Sequence, residues 1–129
     1  MSPIQNTILL CVLTLLSLHN ILGEHVKIHN SLEGSLDLTV HCKSKDDDLG
    51  VHLLHPGDNY GFSFNERIIF GNTLFFCSFI WNGELHYFDI YQGGDLSKTN
   101  CDYCNWNIFK LGPCRISKHG DPICFPWNK

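Results

Sequence analysis

Six cysteines, Cys42, Cys77, Cys101, Cys104, Cys114 and Cys124, follow an apolar leader that carries a seventh, Cys11. From Ile8 to Leu16 every residue except Thr14 is apolar, and at Leu22-Gly23-Glu24 the chain turns polar. A run of that length matches a signal-peptide core and is too short to span a bilayer as a helix. The expected organisation is therefore a signal peptide over 1–23 and one secreted domain over 24–129. Cleavage after Gly23 removes Cys11 and leaves an even set of six cysteines. In a short exported chain, an even set reads as three disulfides, with all fifteen pairings open at this stage.

Every Lys, Arg, Asp and Glu lies after residue 23, so the formal charge of −4 belongs to the secreted part. That balance gives no reason to expect nucleic acid or an anionic membrane as a partner. Nor does any later apolar stretch reach spanning length. The expected location is extracellular, with no stable membrane insertion.

The mature part alternates with the two-residue period of strands and is punctuated by Gly, Asn, Asp and Pro, so the reading is all-β. In Leu36 to Cys42 the residues Leu36, Leu38, Val40 and Cys42 point one way, and Asp37, Thr39 and His41 the other. Leu74 to Trp81 is apolar at nearly every position and is expected to be a central strand covered on both faces. Asn82-Gly83 suits a type I′ turn and pairs that strand with Leu85 to Tyr91. Tyr60 to Phe64 and Cys104 to Ile108 add strands, as do His25 to Asn30, Gly50 to His55 and Arg115 to Ser117. The expected fold is a small antiparallel β-sandwich of seven to eight strands. If each strand reverses the last, Ser44 to Asp48, Asn65 to Asn72 and Gly93 to Asn100 gather at one end. Binding residues concentrate on long loops held by a rigid scaffold, so this end is the expected recognition surface.

The segments HCKSKDDDLG (His41 to Gly50), TLFFCSFIWNGELHYFDIY (Thr73 to Tyr91) and CDYCNWNIFKLGPC (Cys101 to Cys114) occur in order. Together they resemble the plant self-incompatibility protein S1 family, also called S-protein homologues, over nearly all of the chain from about Val26. The resemblance implies a secreted β-sandwich with disulfides. Its founding members are stigmatic ligands recognised by pollen in the self-incompatibility of poppies, without known catalytic activity. It implies that Cys42, Cys77, Cys104 and Cys114 are the family's core cysteines. Cys101 and Cys124 then form an additional pair, bonded to each other. Gly50, Trp106 and Gly112 read as a turn, a core aromatic beside a disulfide, and a tight connection.

Candidate chemistry is sparse. Cys101-Asp102-Tyr103-Cys104 has the C-x-x-C spacing of redox proteins, but it precedes a strand instead of opening a helix, so a structural role is expected. Lys45-Asp46-Asp47-Asp48 lacks the ligand spacing of a Ca²⁺ loop, so no metal is expected there. The histidines stand at no catalytic spacing. Most of the aromatic rings between Phe75 and Tyr91 are expected in the core.

The preferred reading is a monomeric secreted signalling ligand with neither catalysis nor cofactor, binding a cell-surface receptor in pollen–pistil or other cell–cell recognition. Receptor contacts are expected at Lys45, Asp46, Asp47, Asp48, Glu66, Arg67, Asp95 and Lys98, which place both charge signs on the three loops. The competing reading is a secreted defence or toxin-like protein acting directly on microbes or membranes. Such action usually needs cationic amphipathic character, which the acidic balance opposes.

Overall fold

Residues that alternate along the chain also alternate in burial, and this is what closes the two sheets over each other. The computed structural model describes residues 2–21, 23–65, 73–94, 99, 101–117 and 119–128. A leader helix, α1 (Pro3–Ile21), precedes nine strands. These are β1 (Glu24–Asn30), β2 (Leu38–Lys43), β3 (Asp48–Leu54), β4 (Asn59–Phe64), β5 (Leu74–Trp81), β6 (Glu84–Gln92), β7 (Tyr103–Phe109), β8 (Gly112–Ile116) and β9 (Pro122–Cys124). One sheet has the order β4-β1-β7-β8-β9 and the other β3-β2-β5-β6. Ile4, Ile8, Leu9, Leu10, Val12 and Leu13 of α1 are exposed and add nothing to the core. Among the described residues, no helix is long and apolar enough to cross a membrane.

The core lies between the sheets. Val26, Ile28, Trp106 and Ile108 from one sheet meet Leu38, Val40, Phe79, Phe88 and Ile90 from the other, all buried. Each large apolar side chain removed from water contributes about 1.5–3 kcal/mol before the entropy of ordering the chain is set against it. A β-bulge where β5 meets β6 lets two successive residues, Ile90 and Tyr91, both face inward at 0% exposure.

The fold class is as expected, with four differences in detail. β1 and β7 pair in parallel. Successive strands do reverse direction throughout, so the first and the seventh run the same way and become parallel when placed side by side. β9 is an added strand, too short for periodicity to reveal, paired to β8 beside the Cys114–Cys124 bond. β5 is central but covered on one face only: Leu74, Phe76 and Ile80 are exposed in alternation with buried Phe75, Cys77, Phe79 and Trp81. Gly50 occupies a bulge, not a turn, where Leu49 and Gly50 stand opposite Cys42 and Gly50 takes φ 81°. The β5–β6 hairpin forms as expected, with Asn82 at φ 48° and Gly83 at φ 75° in its turn.

All six expected cysteines are bonded, in the pairs Cys42–Cys77, Cys101–Cys104 and Cys114–Cys124. The expected Cys101–Cys124 bond is therefore wrong. β9 lies antiparallel to β8 with Cys124 directly opposite Cys114, which gives Cys124 a nearer partner. Cys11 in α1 is free and exposed.

The end of the sandwich with short connections is ordered from within. Buried Asn30 donates through Nδ2 to the carbonyls of Leu36 and Leu54, while its Oδ1 accepts from the Leu32 amide. Sequence pattern hides this role, because an Asn at a strand end reads as a turn former. In the adjacent turn His55 Nδ1 lies 3.0 Å from Asp37 Oδ1, and this hydrogen bond, then the Asp37 charge, raises the His55 pKa above its ordinary value. The stabilising contribution is present below the unfolded value near 6.5 and is lost as pH rises through the raised folded value. In a proton NMR titration the His55 midpoint should lie above that value and fall back towards it in Asp37→Asn. An unchanged midpoint in the variant would remove Asp37 as the cause.

Candidate functional site

Strand direction decides which loops meet. Lys43 of β2 pairs with Phe76 of β5, and Leu74 with Gln92 of β6, so β2 and β6 end where β5 begins. β1 begins beside the end of β4 and the start of β7, through the pairs Glu24 with Phe64 and His25 with Tyr103. The Gly93 amide donates to the Thr73 carbonyl at 2.8 Å, joining two of the loop stems. The described parts of the three long connections therefore share one end of the sandwich. The Ser117 amide, which donates to the Asp121 carbonyl where β8 ends, lies at that end too.

Lys45, Asp46 and Asp47 sit in a tight turn in which the Ser44 amide donates to the Asp47 carbonyl at 2.8 Å and the Asp47 amide to Ser44 Oγ at 3.1 Å. With Phe64, Asn65, Thr73, Leu74, Phe75 and Phe76 this turn lines a hollow of about 410 Å³. Its floor is aromatic and aliphatic, and its rim carries both charge signs.

Asp48 does not join them. It opens β3 with Oδ1 accepting from the Gly50 amide at 2.9 Å and lying 2.6 Å from His41 Nε2. The Gly50 hydrogen bond, then that of His41, holds its carboxyl below the usual carboxylate range. Its geometry supports the β3 bulge. Glu66, Arg67, Asp95 and Lys98 lie outside the described residues.

The hollow shares Leu74 and Phe76 with the outer face of the β3-β2-β5-β6 sheet. There Val51, Leu53, Leu74, Phe76, Ile80, Leu85 and Tyr87 are all exposed. Cross-strand register aligns Leu53, Thr39, Ile80 and Leu85 in one row, and Val51, His41, Ser78 and Tyr87 in the next. The apolar run of β5 was legible as a covered strand, whereas its outward half is surface. Thr39 and His41 of β2 stand between the apolar side chains of β3 and those of β5 and β6; exposed apolar surface of this kind is characteristic of interaction surfaces.

The Cys101–Cys104 bond has the C-x-x-C spacing without the surroundings that activate it. Cys104 is buried in β7, and among the described residues no helix begins at Cys101, the setting in which a redox C-x-x-C pair is activated. Trp127 is half-buried, with its ring against Phe79, Trp81 and His86 and its Nε1 donating to the Lys110 carbonyl at 2.9 Å. It packs the C-terminal segment against the sandwich.

Residues 25–127 match the family described as plant self-incompatibility protein S1. S-protein homolog 2 of Arabidopsis thaliana is 51% identical over 112 residues, covering 81% of this chain and 68% of the relative. S-protein homolog 4 of the same plant is 44% identical over 108 residues, covering 80% and 71%.

Proposed function

Because this chain belongs to the plant self-incompatibility protein S1 family, we propose that it is a secreted signalling ligand of the apoplast. It binds a cell-surface receptor protein through the long-loop end of the sandwich, in pollen–pistil or another cell–cell recognition. The observation that carries this reading is the hollow beneath Lys45, Asp46 and Asp47, whose apolar floor and charged rim match the anatomy of protein interfaces. The ligand acts as a monomer without catalysis or cofactor, and the hydrogen-bonded turn that carries Lys45, Asp46 and Asp47 loses little ordering entropy on docking.

A photo-cross-linking side chain at position 46 tests the placement. On plant plasma membranes it should capture a protease-sensitive membrane protein, competed away by unlabelled ligand, whereas the same group at position 58 in the short-connection end should not. Equal capture from both positions would contradict the loop-end surface. Leakage of anionic vesicles without any protein receptor would point instead to direct action on membranes.

A further inference from the structure

The outer face of the other sheet is built differently from the apolar one. β1 lies between β4 and β7, and the outward residues of these three strands fall into register as a grid. Its rows are Ser63, His25 and Tyr103; Gly61, Lys27 and Asn105; and Asn59, His29 and Asn107. Neighbouring positions are about 4.8 Å apart across strands and about 6.7 Å along them, a spacing within reach of a single extended ligand.

Three properties distinguish this grid from an ordinary solvated face. Asparagine and glycine are depleted in strands, yet four of the nine grid positions hold them. Lys27 stands at the centre with two imidazoles on the same strand, and no grid position is Asp or Glu, in a chain of net charge −4. The Tyr103 ring is 66% exposed and stacks on His25 with centroids 4.8 Å apart, offering a flat apolar surface beside the amides. His29 Nδ1 is hydrogen-bonded to Asn59 Oδ1, which fixes one corner. Two hollows run along the face and share Asn105: one of about 260 Å³ lined by Lys27, His29, Asn59 and Asn107, and one of about 540 Å³ lined by Tyr103, Ile116 and Ser117. Asp102 borders the second hollow outside the grid.

We propose that this face binds an acidic polysaccharide, a chain of uronic acid units, through residues none of which lines the hollow assigned to the receptor. Carboxamides donate and accept towards sugar hydroxyls, the tyrosine ring packs against a sugar's C–H face, and Lys27 pairs with a uronate carboxylate. Asn105 lines both hollows, so one extended chain that contacts it can engage the two together.

The test uses the protein secreted from plant cells expressing the full chain. Its affinity is measured for polygalacturonate, for the fully methyl-esterified form of the same polymer, and for dextran sulfate. Binding is expected to polygalacturonate and to weaken about tenfold on esterification, on Lys27→Glu and on Asn105→Ala with Asn107→Ala, the scale of lost charge-assisted hydrogen bonds. Val51→Ser, on the outer face of the other sheet, should leave it unchanged, with circular dichroism confirming that each variant is folded. No binding to polygalacturonate would overturn the proposal, as would equal affinity for the esterified polymer. Stronger binding to dextran sulfate that ignores the asparagine variants would also overturn it, by showing plain ion exchange.

Discussion

Replacing Cys42 and Cys77 together by alanine is expected to destabilise the domain by about 4 kcal/mol, more than removing either of the other bridges. The two residues stand directly opposite each other on β2 and β5, both at 0% exposure, and their bond closes a loop of sequence separation 35. Loop-closure entropy assigns about 3.8 kcal/mol to that length, against about 2.7 for the separation of 10 in Cys114–Cys124 and about 1.6 for the separation of 3 in Cys101–Cys104. Small domains have roughly 5–15 kcal/mol in all, so the first loss takes a large share and lowers Tm by about 15 °C or more. Thermal melts of the three double-alanine variants check the ranking. A Cys101→Ala/Cys104→Ala variant that melted lowest would contradict the pairing described above.

Gly112→Ala is expected to cost about 3 kcal/mol, far more than its single methyl group implies. A Cβ at this position would lie 2.0 Å from the Phe125 carbonyl oxygen and 3.2 Å from the Phe125 carbonyl carbon, so backbone has to move. Phe125 cannot yield cheaply: its amide donates to the Pro113 carbonyl at 3.0 Å, and its ring packs on Phe88 and Trp106. The residue also takes φ 154°, a region that L side chains rarely adopt. Gly57→Ala is the matched comparison, because Gly57 has φ 83° with nothing within 4 Å of the added Cβ. It should lose only the ~1–2 kcal/mol of left-handed backbone strain. Urea unfolding separates the two, and equal losses would show that the C-terminal segment does not rest against β8.

The contrast between these glycines indicates what the sequence could reveal. Gly112 reads as a tight connection from Leu-Gly-Pro alone, but the neighbour that makes it irreplaceable is thirteen residues away and becomes visible only after β9 folds back. Alternation located the strands, and Asn82-Gly83 located the central hairpin, because both depend on residues close together in the chain. The pairing of β1 with β7 and of Cys114 with Cys124 depends on which strands become neighbours, which periodicity does not record. The apolar run of β5 was misjudged for a related reason: length and hydrophobicity do not distinguish a strand covered on both faces from one whose outer half is exposed. At the loop end, Lys45, Asp46 and Asp47 were legible as an acidic turn, whereas the aromatic floor beneath them comes from β4 and β5. Asp48, adjacent in sequence to the other three, belongs to the β3 bulge through its bonds to Gly50 and His41.

The two outer faces and the loop end give one small scaffold three chemically different surfaces: an apolar sheet face, a polar grid centred on Lys27, and a charged rim over an aromatic floor. Receptor recognition is assigned to the last, where charge pattern sets partner choice and association rate. Saturation binding of the labelled secreted protein to plant plasma-membrane vesicles, beside Asp46→Lys/Asp47→Lys, tests that assignment most directly. The account predicts saturable, protease-sensitive binding that the charge reversal weakens about tenfold or more while the thermal melt is unchanged. Saturable binding with the same affinity in the folded variant would contradict it.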